Sequence, residues 1–110
     1  MLTGRARRAR IYQTKDGKRP FELWLSALKD VVGRAKILAR VERAESGNFG
    51  SYRDLKEGLF ELKESYGPGY RIYFSIDKRD IILLLIVGIK RSQESDIQKA
   101  RKYWEDYKQR

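Results

Sequence analysis

Hydrophobic positions change period along the chain, and each change marks an element. After Pro20, whose ring suits the first turn of a helix, Phe21, Trp24, Leu25 and Leu28 recur at i, i+3, i+4 and i+7. A second helical segment runs from about Val31 to Glu45 with Val31, Ala35, Leu38, Val41 and Ala44, and Gly47 and Asn48 stop it. Two helices so close in sequence are expected to form an antiparallel hairpin, with Arg34, Lys36, Arg40 and Arg43 on its solvated side. From Asn48 the period shortens. "GNFGSYRDLKEG" is rich in turn residues, and "LFELKES" then alternates, Phe60 and Leu62 against Glu61 and Lys63. "YRIYFSI" alternates too, with Tyr70, Ile72, Phe74 and Ile76 against Arg71, Tyr73 and Ser75. "DIILLLIVGI" is apolar almost throughout, as a strand buried on both faces must be. The chain then returns to helical spacing, with Ile97, Ala100, Trp104 and Tyr107 inward and Ser92 or Ser95 as the cap. A short strand is also expected at Arg10 to Thr14, ended by the turn-like "KDGKR". The predicted order is β-α-α-β-β-β-β-α, an α+β arrangement. No repeat or linker divides it, so residues 1–110 read as one domain, with residues 1–10 as a flexible basic arm.

Charge adds a partner to this outline. The 110 residues carry 25 Lys and Arg against 15 Asp and Glu, a formal charge of +10 that calls for an anionic partner, nucleic acid before membrane surface or acidic protein. There is no Cys and no His, so disulfides, thiol nucleophiles, imidazole bases and the usual zinc ligand sets are excluded. Any enzyme here has to work with Lys, Arg, Tyr, Glu or Asp. The longest apolar run, residues 81–89, is far short of the roughly 20 residues that span a bilayer. "MLTGRARRAR" has the charges of a leader but no apolar segment behind them, so a cytoplasmic protein is expected, without membrane contact.

Candidate chemistry centres on "KESYGPGYRIYF", residues 63–74. Two strands joined by a tight turn set their apolar sides together, and the period of two then puts Glu61, Lys63, Arg71 and Tyr73 on the other face. The apolar strand delivers Lys90 and Arg91 to the same end, so Lys63, Arg71 and Lys90 are expected to converge on one basic surface. Such a set is able to cleave RNA without histidine. Lysine among other cations transfers protons, arginine's fork holds phosphate oxygens, and tyrosine transfers a proton or stacks on a base. The plainer alternative is a half-solvated sheet face, where Lys and Arg are ordinary occupants.

Taken together, "GNFG", "GLFELKESYGPGYRIYF" and "LLLIVGIKRSQESDIQKARKYWEDY" closely resemble the HigB-like addiction-module killer proteins of the RelE/ParE toxin superfamily, over all but the first ten or so residues. The resemblance implies a RelE-like fold: a small, mostly antiparallel sheet flanked by an N-terminal helical hairpin and a C-terminal helix. It also implies the toxin of a type II toxin–antitoxin pair. Such a toxin is a metal-independent endoribonuclease without cofactors that cuts mRNA on the ribosome, and a helix-turn-helix antitoxin, HigA-like in this group, holds it inactive. Carried over by motif, Arg71 is the arginine that contacts the scissile phosphate, and Lys63 and Lys90 match basic positions. Arg91, Tyr70 and Gln93 are expected as further RNA contacts. Where better-studied RelE-type toxins carry a second strand lysine this chain has Glu61, either a base or an ion-pair partner positioning Lys63. Where they place a tyrosine early in the last helix it has Asp96, read as structural, so that Tyr73, and after it Tyr103 or Tyr107, would supply the phenol. Two other functions are compatible with the residues: a ParE-like inhibitor of DNA gyrase, and a non-catalytic nucleic-acid-binding module.

Overall fold

The computed structural model describes residues 2–110. Its elements follow the predicted order: β1 (Arg8–Ile11), α1 (Pro20–Ala27), α2 (Val31–Glu45), β2 (Tyr52–Asp54), β3 (Phe60–Glu64), β4 (Tyr70–Asp77), β5 (Ile81–Ile89), a 3₁₀ turn (Lys90–Ser92) and α3 (Gln93–Lys108). The strands form one mixed sheet in the order β1-β5-β4-β3-β2, with β1 parallel to β5 and the other pairs antiparallel. Helices cover both faces, so the fold is α+β. One face packs Phe21, Ile37, Val41, Ile72, Phe74 and Val87 under α1 and α2. The other packs Tyr12, Leu59, Tyr73, Leu83, Leu85 and Ala100 under α3. Among the described residues no helix is long and apolar enough to cross a membrane.

Several local expectations change. The first strand is Arg8–Ile11 rather than Arg10 to Thr14, because pairing with Ile81 to Leu84 selects it; Thr14 instead closes a turn with Lys18. The basic residues ahead of it lie against the body, where Arg5 bonds Asp80 (2.7 Å), Gly4 bonds Gly47 and the Arg7 guanidinium lies over the Phe49 ring. On α2 the buried stripe is Gly33, Ile37, Arg40, Val41 and Ala44, while Val31 and Leu38 are exposed. Gly33 sets that rotation, since any side chain there would collide with the Tyr70 ring. Arg40, expected in solvent, is therefore turned inward. The helix closes as expected: the Asn48 N–H bonds the Arg43 carbonyl and Gly47 the Ala44 carbonyl.

The β4–β5 pairing carries a bulge that strand alternation did not reveal. Tyr73 pairs with Ile86 but Phe74 with Leu84, leaving Leu85 extra. Leu85 and Ile86 both enter the core beneath α3, and the phase of β5 reverses beyond them. Gly88 thereby falls opposite Arg71. A Cβ at Gly88 would overlap the buried Asp96 carboxylate, which the Ser92 hydroxyl also bonds (2.5 Å). Ser92 does precede α3, but it turns its hydroxyl to Asp96 and the Ile89 carbonyl instead of capping the helix. Gly88→Ala must push Asp96 and the first turn of α3 away. It is expected to cost about 1–3 kcal/mol or more, read as a fall of roughly 5–15 °C in the thermal midpoint; an unchanged midpoint would show that this end of α3 yields freely.

Candidate phosphate-binding site

The β3–β4 ladder realises the register that the turn implied. Lys63 pairs directly with Arg71, and Glu61 with Tyr73. At the turn, Gly69 has φ +80°, a conformation that glycine adopts without strain. It also packs close to the other two parts of the site, because a Cβ there would touch the Lys90 Cβ (3.4 Å) and an Arg71 nitrogen (3.7 Å). The Lys90 N–H donates to the Gly69 carbonyl at 2.8 Å, so the end of β5 is tied to the turn. The result is a cleft of about 300 Å³ lined by Lys63, Ser65, Pro68, Arg71 and Lys90 together with Gly67 and Gly69. The three cations expected to converge do so.

Arg71 is the buried cation of this cleft. It is only 5% exposed, and its Nε and Nη1 are buried with no hydrogen-bond partner. Its nearest carboxylate is Glu61, at 3.8 Å. Buried guanidinium donors left unpaired are costly, of order 1–3 kcal/mol each, and an anion with several acceptor oxygens offsets that cost. Lys63 and Lys90 line the same cleft and are both exposed.

Glu61 is buried (2% exposed) and does not line the cleft. Arg53 donates to one of its oxygens (3.0 Å), and Gln93 to the other (2.7 Å). Of its two expected roles, the geometry favours the ion-pair partner, but toward Arg71 rather than Lys63. Tyr73 is likewise behind the cleft, fully buried beside Glu61, its hydroxyl without a well-formed hydrogen bond. Burial first, then the Glu61 carboxylate, raises its phenol above the ordinary value, so it is neither exposed nor poised as a base. Glu61 and Tyr73, expected as catalytic groups, are thus buried behind the cleft, Glu61 as the ion-pair partner of Arg71.

The expected RNA contacts separate in the same way. Arg91 is exposed beside Lys90. Gln93 holds Glu61 with its amide. Tyr70 is on the opposite face, buried edge-on to Trp24, and its hydroxyl donates to Asp30 (2.6 Å). Burial and then that carboxylate push its phenol up to about 12, and stacking on a base is out of its reach. Tyr103 stacks on Tyr12, and Tyr107 is held between Arg10 and Asp77 at the far end of β4, so neither supplies a phenol to the cleft. Among the described residues no group of three or more carboxylate, His or Cys side chains is placed to hold a metal ion.

Arg40 is the residue of structural weight that the pattern placed in solvent. It is 3% exposed and donates to the carbonyls of Lys63 (3.2 Å), Phe49 (2.7 Å) and Ser51 (2.7 Å). It therefore braces the strand that carries Lys63 against the "GNFGS" loop. An arginine three residues after Ile37 and next to Val41, on the buried arc of the helix, was the available signal.

No protein-family model matches the chain. An uncharacterized protein of Haemophilus influenzae is 41% identical to it over 81 residues, which cover 74% of this chain and 82% of that protein.

Proposed function

The chain belongs to the family of this Haemophilus influenzae protein, and we propose that it is a toxin of a type II toxin–antitoxin pair, a metal-independent endoribonuclease that cuts mRNA on the ribosome. The observation that carries the reading is the cleft in which Lys63 and Lys90 flank a buried, unpaired Arg71. The scissile phosphate sits on the Arg71 guanidinium, whose donors meet the oxygens that gain charge as the 2′-hydroxyl attacks. Lys63 and Lys90 are the only other titratable side chains lining the cleft. One takes the 2′-hydroxyl proton and the other protonates the leaving 5′-oxygen. Glu61, fixed by Arg53 and Gln93, keeps Arg71 in place without neutralising it by a hydrogen bond. The motif resemblance to HigB-like and RelE-like toxins supports the same activity, a RelE-like fold and a cytoplasmic setting. It also supports a helix-turn-helix antitoxin as partner.

Induced expression without an antitoxin is expected to arrest growth, with new 5′ ends appearing inside translated messages when transcripts are mapped. Growth arrest with intact transcripts would overturn the reading, and an accompanying DNA-damage response would point to gyrase instead.

A further inference from the structure

A second basic cleft adjoins the first. It measures about 250 Å³ and is lined by Arg40, Arg43, Asn48, Ser51, Lys63 and Ser65, with Gly50 and Glu64 completing the wall. Lys63 and Ser65 line both clefts, so the two meet at the end of β3. The charge here is of the same kind. Arg40 makes no salt bridge among the described residues; its guanidinium is occupied by carbonyls, and Glu64 offsets its charge only from a distance. Arg43 is exposed in the last turn of α2, close enough to Arg40 that the two charges act on each other. Glu64 is the only carboxylate in the wall, and it is turned to its own strand end, accepting the Tyr66 N–H (3.2 Å).

We infer that this second cleft holds a neighbouring phosphate of the same single strand, so that the nucleic acid crosses Lys63 with one phosphate on Arg71 and another on Arg43. The inference rests on the first cleft being a phosphate site. A continuous run of cations bordering a shallow track is how proteins follow a single-stranded backbone without reading its sequence. Arg43 is the side chain with free donors, while Arg40 supplies fixed positive charge from beneath. Lys63, shared between the clefts, sets the register between bound phosphate and scissile phosphate.

The test uses the full chain and 2′-O-methyl RNA, which lacks the attacking hydroxyl, as a dinucleotide and an octanucleotide, titrated by anisotropy across a range of salt. Arg43→Ala is expected to weaken octanucleotide binding several-fold and to lower its salt slope by about 0.7, with the dinucleotide unaffected. Lys15→Ala, on a loop beyond the opposite sheet edge, is the control and should change neither. If Arg43→Ala leaves octanucleotide binding intact while Arg71→Ala weakens both ligands, the second cleft is wrong and the first stands. If Arg43→Ala only lowers the thermal midpoint, the residue serves the helix end and the inference fails. Equal weakening of both ligands, or the same loss in Lys15→Ala, would reduce the effect to overall charge and also overturn it. Should neither Arg43→Ala nor Arg71→Ala alter binding, both clefts are excluded together.

Discussion

Arg71→Ala is expected to lower mRNA cleavage by roughly 10²–10³-fold, the usual effect of deleting a preorganised donor to developing phosphate charge, while the protein stays folded. The second half of this expectation comes from the way Arg71 is held. Its buried Nε and Nη1 find no hydrogen-bond partner among the described residues, and its ion pair there is long, at 3.8 Å. Glu61 keeps Arg53 and Gln93 when Arg71 is gone, so truncation does not strand a buried carboxylate. Losing two unpaired buried donors offsets the lost packing, and stability should change by no more than about 1 kcal/mol. Arg71→Lys restores charge without the planar fork and should recover only a small part of the activity. Cleavage is read by mapping transcript ends on translating ribosomes, and folding by the thermal midpoint of the same preparation. A folded Arg71→Ala protein that cuts messages at the parental rate would remove Arg71 from the chemistry.

The largest stability effect is expected at Arg40, a residue outside the cleft that holds Arg71. Arg40→Ala takes the guanidinium from the carbonyls of Lys63, Phe49 and Ser51 at once, and only that of Ser51 keeps a second donor, the Lys63 N–H (3.3 Å). The Phe49 contact is buried and the other two only partly so; with each buried unpaired group costing about 1–3 kcal/mol, the loss should reach roughly 2–4 kcal/mol, a drop of about 10–20 °C in the unfolding midpoint. That is a large fraction of what a small domain has. A lysine is unable to reach three carbonyls from one ammonium, so Arg40→Lys should recover only part of the loss. The same substitution frees the backbone of Lys63 and loosens the junction between the clefts, so activity should fall before the fold does. Unfolding in urea with an unchanged midpoint for Arg40→Ala would show that water replaces the guanidinium without penalty. Gly50 fits the same arrangement, since a Cβ there would press within 3.3 Å of an Arg40 nitrogen.

These two arginines divide what was legible in the chain from what was not. Alternation alone placed Lys63 and Arg71 on one side of two strands, and the structure pairs them directly, because a period of two leaves no other choice once the turn is tight. The same rule sorted Tyr70, Ile72, Phe74 and Ile76 from Arg71, Tyr73 and Ser75 correctly. Alternation reports only which side, however, and not what covers that side. Helix α3 closes over Glu61 and Tyr73, converting expected surface chemistry into buried support. Tyr70 was placed on the right face of β4 and yet given a surface task, because nothing local announced that Asp30 and Trp24 would enclose it.

Element order, the helix of "PFELWLSA", the stop at Gly47 and the convergence of the three cations were determined by the sequence itself, since periodicity, turn chemistry and strand register are local properties. Three things were decided only in the tertiary structure. The bulge at Leu85 was invisible in a strand apolar at nearly every position, yet it brings Gly88 opposite Arg71 and makes room for Asp96. The rotation of α2 was chosen by the fit of Gly33 against Tyr70, overruling the apolar claims of Val31 and Leu38 and burying Arg40. The separation of cleft from support depended on α3, which arrives from the far end of the chain. In each case the deciding contact joins residues distant in sequence, and close packing, rather than local preference, selects among alternatives that the local pattern leaves equal.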